Sequence, residues 1–353
     1  MTVHDPVHLA VSGAAIPDDA ALLRAAADLT RSLSTANPAI YWPDLLASAI
    51  LGYAALAGAI LLDNGVAALA CAVVAMMALY RAASFIHELT HIRKGALPGF
   101  RFAWNLLVGI PLMIPSFLYE GVHTQHHART RYGTAEDPEY LPLALMKPWS
   151  LPLFIVVAAL APVGLILRFG VLTPLSLIVP PLRRAVVAQY SALSINPAYR
   201  RRVPEGDFAQ MWRWQEAGTC LFALALVASP LILGWKPLLV YMAVHSAMTV
   251  INQLRTLVAH LWENEGDAMT VTAQYLDTVN VPPPGIWPAL WAPVGLRYHA
   301  LHHLLPSVPY HALGEAHRRL IATLDAQSPY HRGNYRGMVP LVGKIARSTM
   351  RAR

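Results

Sequence analysis

Charge is scarce in this chain and cysteine nearly absent. Asp, Glu, Lys and Arg make up 13% of its 353 residues, about half the share of a soluble domain. That is too little polar material to cover a water-soluble globule of this size. Its two cysteines, Cys71 and Cys220, lie inside apolar runs without a C-x-x-C partner. This excludes a disulfide framework, a thiolate zinc site and an iron–sulfur cluster held by the chain itself. No G-x-G-x-x-G loop is present, so the chain brings no nucleotide-borne reductant of its own. The first 40 residues are mixed polar and lack a basic stretch followed by an apolar core, so no secretory leader is expected.

What the sequence has instead is length in apolar runs, with 56% hydrophobic residues overall. Two hairpins stand out. Residues 44–62 pair with 66–86 across "DNG", and 217–234 pair with 238–259 across "WKP". Each run is long enough for a bilayer core of roughly 30 Å. The stretches 104–118 and 151–180 are shorter or broken by Pro111, Pro115, Pro162 and Pro174, and read as interfacial or re-entrant helices or a third hairpin. The expected fold is an all-α integral membrane protein of two transmembrane hairpins. Residues 1–43 form an N-terminal segment, 44–320 the membrane domain, and 321–353 a basic tail.

Basic residues orient the set. Arg93, Lys94, Arg101, Lys147, Arg183 and Arg184 lie between the hairpins, whereas the hairpin turns offer Asp63 and Lys236. The positive-inside rule puts the termini and the inter-hairpin segment in the cytoplasm. The same rule accounts for the net charge of +7, and no nucleic-acid partner is expected.

Histidine is the most informative residue type. "HELTH" holds His87 and His91 as H-x3-H. "HTQHH" holds His123, His126 and His127, and "HALHH" holds His299, His302 and His303, both as H-x2-H-H. His260 closes the fourth run in "LRTLVAH". Positions i, i+3 and i+4 share one helix face, so each box aims its imidazoles at a common point. Spans between successive boxes come in pairs, which brings all four groups out on one side. One His pair on a helix is more often surface or core decoration than a ligand. Two copies of H-x2-H-H with an H-x3-H are not coincidence and predict a metal site. Nine imidazoles exceed what one tetrahedral zinc takes. Divided over two ions they leave each with four or five, and imidazole alone does not choose between iron, copper, nickel and zinc. His245, in mid-span, reads equally as functional or as a satisfied core residue. His4, His8, His311, His317 and His331 read as ordinary surface or loop residues.

"HELTH" taken alone fits H-E-x-x-H, a zinc protease site with Glu88 as base. That reading lacks a third ligand in an intramembrane Asp-Gly and leaves seven histidines unused. On a helix Glu88 points about 100° away from His87. A metal transporter is disfavoured because its ionisable groups belong in mid-membrane, and these lie at the ends of the runs.

The three boxes interleaved with two hairpins resemble the membrane fatty-acid desaturase/hydroxylase family over about residues 40–320. The resemblance implies four membrane helices, a cytosolic helical cap holding the boxes, and a non-haem di-iron centre that uses O2 to oxidise unactivated C–H bonds of lipid chains. Carried over by position, His87, His91, His123, His126, His127, His299, His302 and His303 are iron ligands. His260 matches an extra histidine of some members. Animal acyl-CoA members place Asn four residues before it, where this chain has Thr256. Desaturation is the expected outcome, with hydroxylation or oxidative decarboxylation to a terminal alkene as alternatives. Electrons come from a separate ferredoxin or cytochrome with its reductase, and the location is a bacterial inner membrane.

Acids near the boxes are expected to orient imidazoles through their second nitrogen: Glu88, Glu120, Asp137, Glu263 and Asp267. Arg255 is expected to pair with an acid beside the site. Arg129, Arg131 and Arg297 are candidates for a carboxylate or phosphate head group. Trp287 and Trp291, among prolines, read as an interfacial anchor.

Overall fold

A computed structural model describes residues 16–350, whose regular structure is helical, with isolated bridges in place of a sheet. The stretch 1–15, with His4 and His8, lies outside the described residues. An amphipathic helix, α1 (Ala20–Leu33), starts at the N-cap Asp19, which accepts from the Leu22 amide. The first hairpin is α2 (Pro38–Leu61) and α3 (Gly65–His91). Asn37 caps α2 and is followed by Pro38, and Asn64 caps α3 through the Ala67 amide. The fixed φ of proline and the side-chain acceptor are what an N-terminus favours. The helices cross closely at Gly52, where any side chain would meet Leu79, as small residues permit in membranes.

The second hairpin is α4 (Gly206–Ala228) and α5 (Trp235–Leu257). Its turn lies beside that of the first hairpin, since Lys236 Nζ donates to the Leu62 carbonyl at 3.3 Å. Both turns therefore sit at one end of the bundle and the histidine boxes at the other. Long helices with exposed Ile50, Leu61, Val66, Leu69 and Leu231 present apolar surface outward, as a bilayer requires.

Four stretches are long and apolar enough to cross a membrane: Pro38–Leu61, Gly65–His91, Ser150–Ile178 and Gly206–Leu233. The expected run at 238–259 is not among these four. Its helix, α5, carries Lys236, His245, Asn252, Gln253 and Arg255, which dilute its apolar character. Several of its polar groups turn onto a neighbouring helix instead of lipid. Ser246 Oγ and Thr249 Oγ1 donate to the carbonyls of Ala159 and Ala158 at 2.8 and 2.7 Å.

That neighbour is the Ser150–Ile166 helix, prolonged by a π-helical turn at Leu167–Leu172 and by Thr173–Ile178. The chain then reverses through Pro180–Gln189. Its two ends lie on the histidine side: the Ala144 amide donates to Trp262 and the Leu193 amide to Leu118. The excursion dips in and returns. Arg168 holds the bend, bonding the Tyr190 carbonyl, Ser191 and Glu216 at 2.7–2.8 Å. Glu216 also takes Arg183 at 2.7 Å.

The cap is built from α1, the box loops and the residues after α5. Tyr310 Oη and the Arg81 guanidinium both reach Asp44, tying the segment after the third box to the top of the first hairpin. Residues 321–350 pack onto this cap. In the helix Met338–Met350, Thr349 and Ser348 donate to the carbonyls of Leu143 and Ala144.

Candidate metal centre

Each box sits where a helix ends or a short helical turn is pinned. His87 and His91 occupy the last turns of α3. His123, His126 and His127 lie on the turn His123–His126 and its C-cap, and the third box on His299–Leu304. His260 follows the end of α5 and is held by an isolated bridge to Thr278.

The structure brings all nine together in two groups. His87, His91, His123, His127 and His302 form one, and His126, His260, His299 and His303 the other, with ligand atoms in each group within 4.8 Å of one another. The expectation that each box aims at one common point is corrected: both H-x2-H-H boxes are divided. Residues i and i+4 stay together, as His123 with His127 and His299 with His303, while the i+3 residues His126 and His302 join the opposite group. The helix explains this. Positions i and i+4 are about 40° apart around the axis, and i+3 lies about 100° from i+4.

Within the groups the nitrogens face one another. The Nε2 atoms of His123 and His127 are 3.0 Å apart, those of His127 and His302 3.1 Å, of His260 and His299 3.0 Å, and of His299 and His303 3.2 Å. Both ring nitrogens of His87 and the Nε2 atoms of His91 and His126 are buried without a hydrogen-bond partner among the described residues. Nitrogens at right angles on one ion, with bonds of about 2.1 Å, stand about 3.0 Å apart. The donor set fits two ions.

Three imidazoles are oriented from behind. His126 Nδ1 faces both oxygens of Asp137, at 2.9 and 3.0 Å. His123 Nδ1 faces Glu139 at 2.9 Å and the Tyr119 hydroxyl at 2.8 Å. His260 Nδ1 faces the Tyr132 hydroxyl at 2.9 Å, which in turn donates to Asp277 at 2.7 Å. A partner on Nδ1 leaves Nε2 as the inward lone pair. The Asp137 loop depends on Gly133, which has φ +71° and no room for a side chain against Asn264. Its amide also binds Asp137, at 2.8 Å.

Electrostatics favours neutral donors. Burial first, then the neighbouring imidazoles, holds His123, His127, His299, His302 and His303 well below the usual histidine range. His260 is held down in the same way, by burial and by His126 and Arg255. Burial also acts on His126, but the carboxylates of Asp137, Glu139 and Asp277 together outweigh it and the net shift is upward. Burial raises Glu139 and Asp277 to about 7.

Of the expected supporting residues, Asp137 bonds an imidazole directly, that of His126. Glu88 is buried, but its Oε2 takes the Tyr41 hydroxyl and the Tyr310 amide, and its Oε1 is 4.0 Å from His87 Nδ1. Glu120 pairs with Arg101 at 2.6 Å. Glu263 faces outward near Lys344, and Asp267 is exposed. Arg255 bonds Asn252 at 3.0 Å where an acid was expected. Arg297 staples its own loop through the carbonyls of Val281 and Gly285. Sequence reasoning passed over Glu139, Asp277, Tyr119 and Tyr132. The "EDPEY" that follows the second box carried a signal for Glu139. His245 is buried in α5, with neither ring nitrogen partnered among the described residues.

A cavity of about 240 Å³ reaches the centre from the surface, lined by Ser34, Thr35, Tyr41, Glu88, His91 and Ser307 among others.

Long apolar helices beneath a buried, all-imidazole site define a membrane protein whose histidine clusters could hold metal. Residues 63–335 match the fatty acid desaturase family, and the chain belongs to that family: it is a membrane-bound, lipid-modifying oxidoreductase. Over 332 residues it is 49% identical to a ceramide hydroxylase of Caulobacter vibrioides, covering 93% of this chain and 94% of that protein. No solved structure matches the chain.

Proposed function

We propose that this protein hydroxylates a ceramide-type lipid at a two-iron centre held by the nine histidines. The observation that carries the reading is the identity with the ceramide hydroxylase, which runs nearly end to end in both chains. It moves the expected outcome from desaturation to hydroxylation, one of the alternatives raised by the family resemblance. The balance is one C–H bond, O2, two electrons and two protons giving C–OH and water. Iron, when bound, supplies the redox chemistry that activates O2 and that zinc lacks.

The chain's own residues do the rest. His87, His91, His123, His127 and His302 would hold one ion, and His126, His260, His299 and His303 the other. Asp137, Glu139 and the Tyr132–Asp277 pair keep three rings in the binding tautomer. Burial excludes water and favours the neutral form of every donor but His126, which Asp137 draws the other way. The hydroxyls of Ser34, Thr35 and Ser307, with Glu88 and Arg93, line an entry that offers hydrogen-bond partners to the amide and hydroxyls of a ceramide head group. The boxes and both termini lie in the cytoplasm of a bacterial inner membrane, where a separate redox protein supplies electrons.

The test is expression in a host that makes or is fed ceramides, followed by mass spectrometry of total lipids. Gain of one oxygen on ceramide, abolished in His126→Ala, supports the reading. A new double bond with no oxygen gained returns the assignment to desaturation.

A further inference from the structure

The second box has an outer face. Its histidines point inward to the two groups, while Gly121, Gln125 and Ala128, spaced i, i+4 and i+7, line an open groove of about 940 Å³. The groove and the candidate metal centre are thus separated by a single helical turn, a body about 10 Å across. Gln125 forms the dividing wall and is fixed in place. Its Nε2 donates to the Gly121 carbonyl and to the Tyr199 hydroxyl, each at 2.9 Å, and its Oε1 accepts from Arg131 at 2.6 Å.

The groove is basic. Arg131, Arg200, Arg201 and Arg202 line it against Glu136 and Glu205. Arg201 is buried and committed, donating to the Ser191 and Glu120 carbonyls and lying over Trp212. Arg131 is 3.6 Å from Glu136. Arg200 and Arg202 are exposed on the rim, Arg200 with one Nη atom on the Pro197 and Tyr199 carbonyls at 2.8 Å, and Val203 is 71% exposed beside them. A rim of exposed guanidiniums around an apolar residue is suited to an acidic protein face.

We propose that this groove is the docking face for a small acidic redox protein, which passes electrons across the box-2 turn to the metal centre. The inference rests on the proposed oxidation reaction, which consumes two electrons per lipid. A reduced [2Fe–2S] protein supplies them one at a time, each docking event oxidising one cluster. A phosphate head group would find the same charges. It would, however, lie on the far side of the box-2 turn from the imidazoles. Proximity to the ligands through one helix serves an electron donor and not a lipid.

The test uses the full-length, metal-loaded protein in nanodiscs, with a plant-type [2Fe–2S] ferredoxin, its reductase and NADPH as donor. Dithionite with methyl viologen serves as a donor that needs no docking. Arg200→Glu/Arg202→Glu should raise the ferredoxin KM and weaken its measured binding by about tenfold or more. It should also flatten the salt dependence of both and leave dithionite-driven turnover and iron content unchanged. Ferredoxin binding that is no tighter for the wild type than for the double variant overturns the proposal. So does a ferredoxin KM left intact in the double variant, which removes the groove as the donor's docking face. If the wild type turns over with neither donor, the lipid-oxidation reading fails instead, and the binding comparison still decides the groove.

Discussion

Asp137 faces the Nδ1 of His126 with both carboxylate oxygens, at 2.9 and 3.0 Å, and is itself fully buried. The same carboxylate receives the amides of Gly133 and Glu139, each at 2.8 Å. It therefore fixes a loop and a ring together, and it leaves the lone pair of His126 Nε2 buried and without a partner among the described residues.

Asp137→Asn keeps the shape and one acceptor oxygen but removes the charge. Such partners are worth about 10–100-fold in metal affinity. The variant should fold, and should lose metal from the four-histidine group with an affinity drop in that range. Unchanged metal affinity by competition with a chelator would show that the contact orients nothing.

Glu88 is the general base only if "HELTH" is a protease motif. Its Oε2 is occupied by Tyr41 and Tyr310, from α2 and from the segment after the third box. Gln keeps an acceptor for both. Glu88→Gln is expected to retain both metals and to lose far less than the roughly 10²–10⁴-fold attached to a general acid or base. A loss of that size with metal content intact would restore a catalytic role.

The re-entrant excursion rests on charges sealed from solvent. Arg168 and Glu216 each have side chains 6% exposed, and Glu216 also holds Arg183. Removing one partner of a buried pair costs about 3–5 kcal/mol, whereas replacing both with apolar groups is often near neutral. Glu216→Gln should lower the thermal unfolding midpoint in detergent clearly. Arg168→Met/Glu216→Leu should recover most of the loss. A double variant as unstable as the single one would contradict the account.

His245 carries no such network. With both ring nitrogens buried and unpartnered among the described residues, the ring contributes packing against Tyr241 and an unmet polar cost. His245→Phe should leave metal content and lipid product unchanged and should not lower the unfolding midpoint. Loss of product from a folded, metal-loaded variant would give this residue a function.

The clustering of the histidines was legible in the sequence because i, i+4 spacing survives any arrangement of the surrounding chain. Its division was not legible. Whether His126 faces with or against His127 depends on what stands on either side of the turn, and that is tertiary. The supporting acids were harder still. Asp137 returns to His126 from 11 residues on, and Tyr132 reaches His260 across 128 positions, with no local pattern to mark either. Arg255 bonds Asn252, one turn back on its own helix, and only packing reveals that. The hairpins were readable from apolar length, but α5 is less apolar than the other spans because of Lys236, His245, Asn252, Gln253 and Arg255, and its hydroxyls bond a neighbouring helix.

The central claim is that five and four histidines hold two separate irons. Metal analysis of the purified full-length protein, expressed in iron-replete medium, tests it most directly. The account predicts two irons per chain, falling to one in His91→Ala and in His260→Ala. One zinc per chain, or a variant that loses both metals or neither, would contradict it.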